Sequence, residues 1–243
     1  MKYLFIVALL TIGSSAHGAG EFITYSVDGQ EYEGYFISPG GDAPMTLMVH
    51  DWDGLTDYEV KRAEMLAELG YAVFAVDLFG KGVRPTETEE KRKLTGSLYG
   101  DREKMRTLLN AGLAEAVALS GGSDEVVAFG YCFGGAAVLE LARSGADLDG
   151  FVSFHGGLTT PEGQDYSGVK GSVLVLHGTA DTAVTMEDFA SLATQLEGAS
   201  VPHEMITYSG APHAFTVFGS PRYREDADQK SWARFTQYLR ETM

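Results

Sequence analysis

The stretch EVVAFGYCFGGAAVLELARSG, residues 125–145, decides how this 243-residue chain is expected to fold. An apolar run is followed by the only cysteine of the chain, Cys132, and then by a segment whose apolar residues have helical spacing. The pattern predicts a buried strand, a tight turn and a helix in direct succession. The single thiol would then lie at the turn between strand and helix.

Glycines flank this cysteine two residues away on each side, at Gly130 and Gly134. A turn this sharp brings the strand end close to the helix start, where larger side chains would collide. The arrangement is typical of a nucleophile elbow, with cysteine in the place more often held by serine. The positive potential at a helix N-terminus would favour the thiolate. The alternative is a buried structural cysteine in a glycine-rich turn, because the spacing is short.

Outward from this stretch, short apolar runs alternate with helix-compatible segments, which is typical of parallel strands joined by crossover helices. We predict an α/β fold with a mostly parallel central sheet, an N-terminal antiparallel hairpin around the turn at 28–30, and helices on both faces. The expected parallel strands are 45–50, 71–79, 125–131, 150–156 and 172–178, with a further candidate at 203–208. The expected helices are 59–69, 102–119, 136–143, 186–196 and 227–239.

The chain opens with MKYLFIVALLTIGSSAHGAG, in which Lys2 precedes an apolar run and a group of small residues. This is the layout of a secretory signal peptide, and the run is too short to span a bilayer. We therefore predict a signal peptide at 1–18, a single domain at 19–243, and a protein that is exported, either periplasmic or secreted. A buried N-terminal strand is the alternative.

The composition and net charge of the chain limit which classes of binding partner are expected. The hydrophobic fraction of 44% is that of a globular domain, and the net charge of −16 would repel both phosphate backbones and anionic lipid. Nucleic acid and membrane surfaces are therefore not expected as partners. The lone cysteine cannot form an internal disulfide, and no motif implies a cofactor.

A cysteine nucleophile needs a base, and the base needs a residue that orients it. In an elbow fold the acid follows a later strand and the histidine comes near the C-terminus. Asp181 follows the strand predicted at 172–178, and His213 lies in a turn-rich loop before the last helix. We also expect His155, at the end of the strand that follows the elbow helix, to contact substrate.

The histidines and aspartates also allow a metal site to be considered. HDWD at 50–53, His177, Asp181 and His213 offer ligands that zinc or a harder divalent ion accepts. These residues lack a compact ligand spacing, and the cysteine chemistry already uses two of them. No metal site is therefore predicted.

Four motifs, in chain order VDLFGKG, GYCFGG, HGTAD and APHAF, resemble those of the dienelactone hydrolase family of α/β-hydrolases, over about residues 45–239. The resemblance implies the α/β-hydrolase fold, with Cys132 as nucleophile, His213 as general base and Asp181 as its orienting acid. It also implies that Asp51, where the family usually has glutamate, holds the resting cysteine. The backbone N–H groups of Trp52 and Phe133 would form the oxyanion hole.

The resemblance bears on substrate as well. Family members that cleave dienelactone are thought to grip its carboxylate with two basic residues, and the first position corresponds to Lys81, with Arg84 nearby. The second position holds Val217 here, a departure from that pattern. Segment 80–100 is polar and charged, and we interpret it either as a lid bordering the cleft or as a solvated helical loop.

These features predict an exported cysteine hydrolase that cleaves a small ester or lactone, or a thioester, through a thioacyl-enzyme. Two alternatives stay open. One is a thiol redox or oxidation-sensing protein that uses Cys132 with an external partner. The other is a binding protein that keeps the fold without turnover.

Overall fold

The computed structural model describes residues 19–122 and 125–243, so the predicted signal peptide at 1–18 lies outside the described residues. One sheet organises the described chain. Its strands are β1 (Glu21–Val27), β2 (Gln30–Ile37), β3 (Met45–Val49), β4 (Ala72–Val76), β5 (Val126–Tyr131), β6 (Gly150–Phe154), β7 (Ser172–Gly178) and β8 (His203–Tyr208). They are arranged in the order β1-β2-β4-β3-β5-β6-β7-β8.

The predicted hairpin is confirmed. β1 and β2 are antiparallel, with Val27 paired to Gln30 across a two-residue turn. Asp28 and Gly29 in this turn have φ values of 50° and 80°, the left-handed conformation whose twist matches that of the strands. β2 runs antiparallel to β4, and all other neighbours are parallel. The mostly parallel sheet expected from the sequence is therefore present.

In the described part of the chain, six helices pack around the sheet. They are α1 (Asp57–Ala67), α2 (Thr88–Gly100), α3 (Arg102–Leu119), α4 (Phe133–Arg143), α5 (Met186–Gly198) and α6 (Glu225–Thr242). α1 and α6 cover one face, and α3, α4 and α5 cover the other. Every residue of β3, β4, β5 and β6 is buried as a result. This burial on both faces explains why these strands appear in the sequence as unbroken apolar runs.

Segment 80–100, which the sequence indicates is either a lid or a solvated helical loop, contains the helix α2. The helical interpretation is confirmed for α2, in which Thr95 and Leu98 are the buried positions. A lid role for this helix stays a prediction. Among the described residues, no helix is both long enough and apolar enough to cross a bilayer.

The elbow helix begins three residues earlier than the apolar periodicity predicted. α4 starts at Phe133, directly after the cysteine, so that Gly134 and Gly135 belong to its first turn. Glycine lowers helix propensity, which is why the pattern placed the start at 136. Here the glycines are needed by the packing of the turn against β3 and β6.

Candidate active site

The turn that carries Cys132 is strained and held on both sides. Its φ is +51°, a conformation that residues other than glycine rarely adopt. The Cys132 N–H donates to the Phe154 carbonyl at 3.0 Å, and the Ala136 N–H donates to the Cys132 carbonyl at 3.3 Å. The thiol is half-buried at the carboxyl ends of the parallel strands, where sites in α/β sheets are built.

The two flanking glycines allow the backbones to approach. A Cβ on Gly130 would lie 2.4 Å from the carbonyl carbon and oxygen of Gly134, and a Cβ on Gly134 would lie 2.2 Å from the carbonyl oxygen of Val49. Both distances are far inside van der Waals contact, and the obstructing atoms belong to backbone. The collision expected from the sequence is therefore confirmed.

We expect Gly130→Ala to lower the free energy of unfolding by about 2–3 kcal/mol, because the added methyl group meets backbone that cannot move aside cheaply. Gly96→Ala is the matched control, since a Cβ at Gly96 in α2 meets no atom within 4 Å. Alanine there should stabilise by about 0.5–1 kcal/mol. Urea unfolding of both variants checks the pair, and equal effects would contradict this account of the turn.

Cys132, His213 and Asp181 form a continuous hydrogen-bonded chain. The His213 Nε2 lies 3.0 Å from the Cys132 Sγ, and the His213 Nδ1 lies 2.8 Å from the Asp181 Oδ2. The three residues come from loops after β5, β7 and β8, which meet because these strands are parallel and end at one edge of the sheet. The structure thus brings together the residues that the sequence placed at 132, 181 and 213.

The Asp181 carboxylate is held by backbone hydrogen bonds in addition to its contact with His213. Its Oδ1 accepts the N–H groups of Ala183 and Val184 at 2.8 and 2.9 Å, which leaves Oδ2 for His213. Burial opposes the charge, but the hydrogen bonds from His213 and from these backbone groups outweigh it and lower the pKa of Asp181. The carboxylate is therefore ionised near neutral pH and fixes the ring orientation.

The groups around His213 favour its protonated, imidazolium form. Burial disfavours the charge, but hydrogen bonds to Asp181 and Cys132 and the charge of Cys132 raise the pKa of His213 to about 10. His213 is accordingly suited to hold a proton at neutral pH, beside the Cys132 sulfur.

We expect this pair to set the alkaline limit of activity. A raised pKa keeps His213 protonated below about pH 10, and the imidazolium that must protonate a leaving group is lost above that pH. The kcat/KM for an alkyl ester should therefore stay high through pH 9 and fall near pH 10, as measured by acid release in a pH-stat. A fall near pH 6.5 instead would contradict the raised pKa.

Two backbone N–H groups are available for an oxyanion. Phe133 is the first residue of α4, and Trp52 follows the end of β3. Among the described residues, none accepts a hydrogen bond from either N–H. Phe133 directly follows Cys132, and the oxyanion hole formed by these two N–H groups stays a prediction.

Two residues near Trp52 were not anticipated. The Lys91 Nζ lies 3.1 Å from the Asp53 Oδ2 and 5.2 Å from the centre of the Trp52 ring, so α2 is attached to this loop. Glu59 forms a capping box with Thr56, and its Oε1 accepts the Asp51 N–H at 3.4 Å. The T-x-x-E spacing could have revealed the capping box, whereas a lone lysine in a charged segment gave no signal.

The Asp51 carboxylate makes a hydrogen bond within its own loop. Its Oδ1 accepts the Asp53 N–H at 3.0 Å, while the Cys132 Sγ is paired with His213. Burial, the neighbouring carboxyls of Asp53 and Glu59, and the charge of Cys132 raise the pKa of Asp51 well above its usual range. The hydrogen bond of Asp51 to Asp53 lies within its own loop, and a role of Asp51 in holding the resting thiol stays a prediction.

The His155 side chain is buried next to Thr216 and His213. It is fully buried, and its Nε2 lies 2.8 Å from the Thr216 Oγ1. Its ring packs edge-on to His213 at 5.5 Å between centroids. The contact of His155 with substrate stays a prediction. Position at a strand end does not settle which way a side chain is buried.

The two basic candidates for substrate binding have partners within the protein. The Lys81 Nζ lies 3.5 Å from a Glu31 carboxylate oxygen. Arg84 donates to the carbonyls of Leu55 and Val83, which ties two loops together. Substrate binding by Lys81 and Arg84 stays a prediction, and Val217 adds no basic group.

The metal alternative has no support in the geometry. Over residues 19–122 and 125–243, no group of three or more histidine, cysteine, aspartate or glutamate side chains is arranged to hold a metal ion. His177, one of the candidate ligands, stacks on Phe189 with 5.6 Å between ring centroids.

Comparison with known proteins agrees with this geometry. The model of the dienelactone hydrolase family matches residues 32–243. A solved structure described as m3DLH is 32% identical, with a TM-score of 0.87, and the match covers 93% of this chain and 98% of the other. A dienelactone hydrolase-like promiscuous phosphotriesterase from metagenomic libraries is 30% identical, with a TM-score of 0.86 and coverages of 92% and 98%.

A curated relative, protein usf of Aquifex pyrophilus, is 25% identical over 234 residues, covering 90% of this chain and 99% of the relative. The similarity thus spans nearly the whole described chain and includes the loops that carry the site. The chain belongs to the dienelactone hydrolase family and is a carboxylic ester hydrolase.

Proposed function

We propose that the protein hydrolyses a small ester, lactone or thioester through Cys132 as nucleophile, His213 as acid and base, and Asp181 as the residue that orients the imidazole. The observation that carries the proposal is the hydrogen-bonded chain from Sγ through the imidazole to the Asp181 carboxylate, with distances of 3.0 and 2.8 Å. A merely structural cysteine would not need a histidine whose own orientation is fixed by a buried acid.

The first half of the reaction forms a thioacyl-enzyme. The Cys132 sulfur attacks the carbonyl carbon, and the electron pair of the carbonyl moves to its oxygen. The N–H groups of Trp52 and Phe133 stabilise this oxyanion. When the carbonyl reforms, the bond to the leaving oxygen or sulfur breaks, and the leaving group takes the proton from His213.

The second half releases the acid. Water gives a proton to the now neutral His213 as its oxygen attacks the thioacyl carbon. The second tetrahedral intermediate collapses, and the Cys132 thiolate leaves beside the imidazolium. Asp181 keeps the ring in one orientation through both halves, so the same nitrogen donates and accepts the proton.

The single cysteine makes the proposal directly testable, since any thioacyl group must be on Cys132. With 4-nitrophenyl butyrate we expect a burst of nitrophenolate that approaches one per enzyme, and a butyryl adduct on the Cys132 peptide after acid quench. Alkylation by one equivalent of iodoacetamide should abolish turnover. Turnover that survives complete alkylation would sink the mechanism.

We further propose that the protein is exported. The support is the sequence at 1–18, with its basic residue, short apolar run and small residues before the domain. Expression of the full chain in a Gram-negative host, followed by fractionation and N-terminal sequencing, tests this. A periplasmic or secreted product that starts at residue 17 or 19 is expected, and an intact N-terminus in the cytoplasm would contradict it.

A further inference from the structure

Arg62 is a buried cation in α1. Only 1% of its side chain is exposed, and its Nη2 pairs with the Asp228 carboxylate of α6. Four aromatic rings lie around the guanidinium, with centroids 4.2–5.8 Å from its central carbon: those of Tyr58, Tyr131, Phe218 and Trp232. Burial of such an ion pair carries a desolvation cost that apolar side chains of similar volume would avoid. The other hydrogen bonds of Arg62 show which part of the molecule this cation holds.

One of these bonds anchors the loop that carries His213. The Arg62 Nη2 also donates to the Thr216 carbonyl at 2.8 Å. Thr216 lies three residues after His213, in segment 213–218, which is neither helix nor strand. A buried carbonyl in such a segment has no partner from a helix or a sheet, so it needs a donor from elsewhere. Arg62 supplies that donor, and α1 thereby fixes the backbone of this loop.

A second connection from Arg62 runs through side chains. Its Nε donates to the Tyr58 hydroxyl oxygen at 3.3 Å, and that oxygen lies 2.7 Å from the Thr216 Oγ1. The Thr216 Oγ1 lies in turn 2.8 Å from the His155 Nε2. Burial and the charge of His213 lower the pKa of His155 well below its usual range, so its neutral ring can accept at Nε2. Because arginine only donates, both hydroxyl protons are used when the chain of bonds runs from Arg62 towards His155.

Tyr58 and Arg62 reach Thr216 together because they lie four residues apart on one face of α1. Thr216 is fully buried, and this pair bonds both its carbonyl and its hydroxyl. The preceding carbonyl, that of Phe215, accepts the Arg224 N–H at 3.0 Å. Two successive residues of the loop are thus held in place.

The alignment of His213 depends on where this loop lies. Its Nε2 must stay 3.0 Å from the Cys132 Sγ while its Nδ1 stays 2.8 Å from the Asp181 Oδ2. The His155 ring, at the end of the chain of hydroxyls, packs edge-on to the His213 imidazole with 5.5 Å between centroids. The backbone anchor and the ring contact therefore meet at the same histidine. A misplacement of about 1 Å in a catalytic group can cost about 100-fold in rate.

Titratable groups from three strand ends act on His213: Cys132 after β5, His155 after β6, and His177 and Asp181 at the end of β7. Burial opposes the imidazolium, but the hydrogen bonds to Asp181 and Cys132 and the charge of Cys132 raise the pKa of His213 to about 10. Hydrogen bonds depend steeply on distance and angle. The pKa of His213 therefore reports how well its ring is aligned.

We infer that Arg62, Tyr58 and Thr216 are positioning residues for the catalytic base, and that they hold segment 213–218 so that the imidazole stays aligned between its two partners. The inference rests on the proposed function, in which His213 is acid and base. It adds a support that originates in α1, on residues that do not touch the substrate.

Removal of the Thr216 hydroxyl tests this network. Thr216→Val keeps the branched shape, whereas Thr216→Ser keeps the hydroxyl. With ethyl butyrate in a pH-stat we expect Thr216→Val to lower kcat about tenfold or more and to keep KM within about twofold, because Thr216 acts on His213 and not on the substrate. The alkaline fall in kcat/KM should move to lower pH, because a misaligned imidazole loses the bonds that raise its pKa. Thr216→Ser should restore both.

Tyr58→Phe should cause the same changes to a smaller extent, because the Thr216 carbonyl stays bonded to Arg62. Tyr238→Phe is the matched control. The Tyr238 hydroxyl lies 2.6 Å from the Ser172 Oγ at the start of β7, at the edge of the sheet away from the site. This control loses a comparable hydrogen bond and should keep both kcat and the alkaline limb. Urea unfolding of each variant measures how much folded protein is present, and if Thr216→Val does not fold, Tyr58→Phe carries the comparison.

A network that only stabilises the fold would lower the urea midpoint of Thr216→Val and leave kcat and the alkaline limb unchanged, and that result would overturn the inference. Failure of the proposed function would appear separately, as turnover that survives alkylation of Cys132. NMR titration of the His213 ring protons then decides the positioning, since it requires no turnover. A lower pKa of His213 in Thr216→Val than in Tyr238→Phe supports the inference, and equal values refute it.

Discussion

Cys132→Ala should lower kcat/KM for small esters by about 10⁵-fold or more, which would leave only the background that binding and the oxyanion donors provide. In the proposed mechanism the Cys132 sulfur forms the bond to the acyl carbon, and alanine has no group that can replace it. Its removal also leaves His213 without the partner that helps to raise its pKa. Initial rates over a series of substrate concentrations, measured at high enzyme concentration, give the residual kcat/KM.

His203→Ala is the control for this substitution. His203 lies at the start of β8, and its Nδ1 contacts the Val201 carbonyl at 2.7 Å, away from the three site residues. We expect its kcat/KM to match the unsubstituted protein. If Cys132→Ala retained more than about one hundredth of the activity while remaining folded, the sulfur would not be the nucleophile.

Asp181→Asn should lower kcat/KM by about 10⁴-fold, and the structure gives the reason. Two backbone N–H groups, from Ala183 and Val184, fix an acceptor at the Oδ1 position. The amide oxygen must take that place, so the amide nitrogen faces the His213 Nδ1 and donates to it. The imidazole is then held with its proton on Nε2, and it cannot take a proton from the thiol or from water.

The same substitution should also move the pH profile. Asp181 helps to raise the pKa of His213, so its neutral replacement lowers that pKa and shifts the alkaline fall in kcat/KM to lower pH. Asp188→Asn is the control, because Asp188 lies in the first turn of α5, where its carboxylate accepts hydrogen bonds from Thr185. It should keep the alkaline limb near pH 10. A full-rate Asp181→Asn protein would show that the aspartate does not orient the ring.

The parts of the fold and site that could be predicted from the sequence are those set by local rules. The hairpin follows from Asp28 and Gly29, whose positive φ values suit a two-residue turn. The elbow follows from Gly130 and Gly134, which are required by backbone approach. The positions of the acid and the histidine follow from the ends of parallel strands, which share one edge of the sheet.

The residues that sequence reasoning missed or misplaced depend on contacts between distant segments. Arg102 and Glu140 are 38 residues apart, and nothing in either local pattern indicates that they meet. His155 stands at a strand end as expected, yet its φ of 39° and its contact with Thr216 bury it. Arg84 has the charge of a carboxylate ligand, but the carbonyls of a neighbouring loop engage it. Packing of loops, which no period of apolar residues encodes, decides these cases.

The site residues and the helix α2 beside them belong to different parts of the fold. Cys132, His213 and Asp181 lie on loops that follow strands of the sheet. Lys91, which contacts the Trp52 ring, lies instead on α2, a helix whose only buried residues are Thr95 and Leu98. Random substitution confined to the exposed positions of α2 should therefore yield folded enzymes that differ in the esters they accept. This helix is the segment with which laboratory evolution of a new specificity can begin.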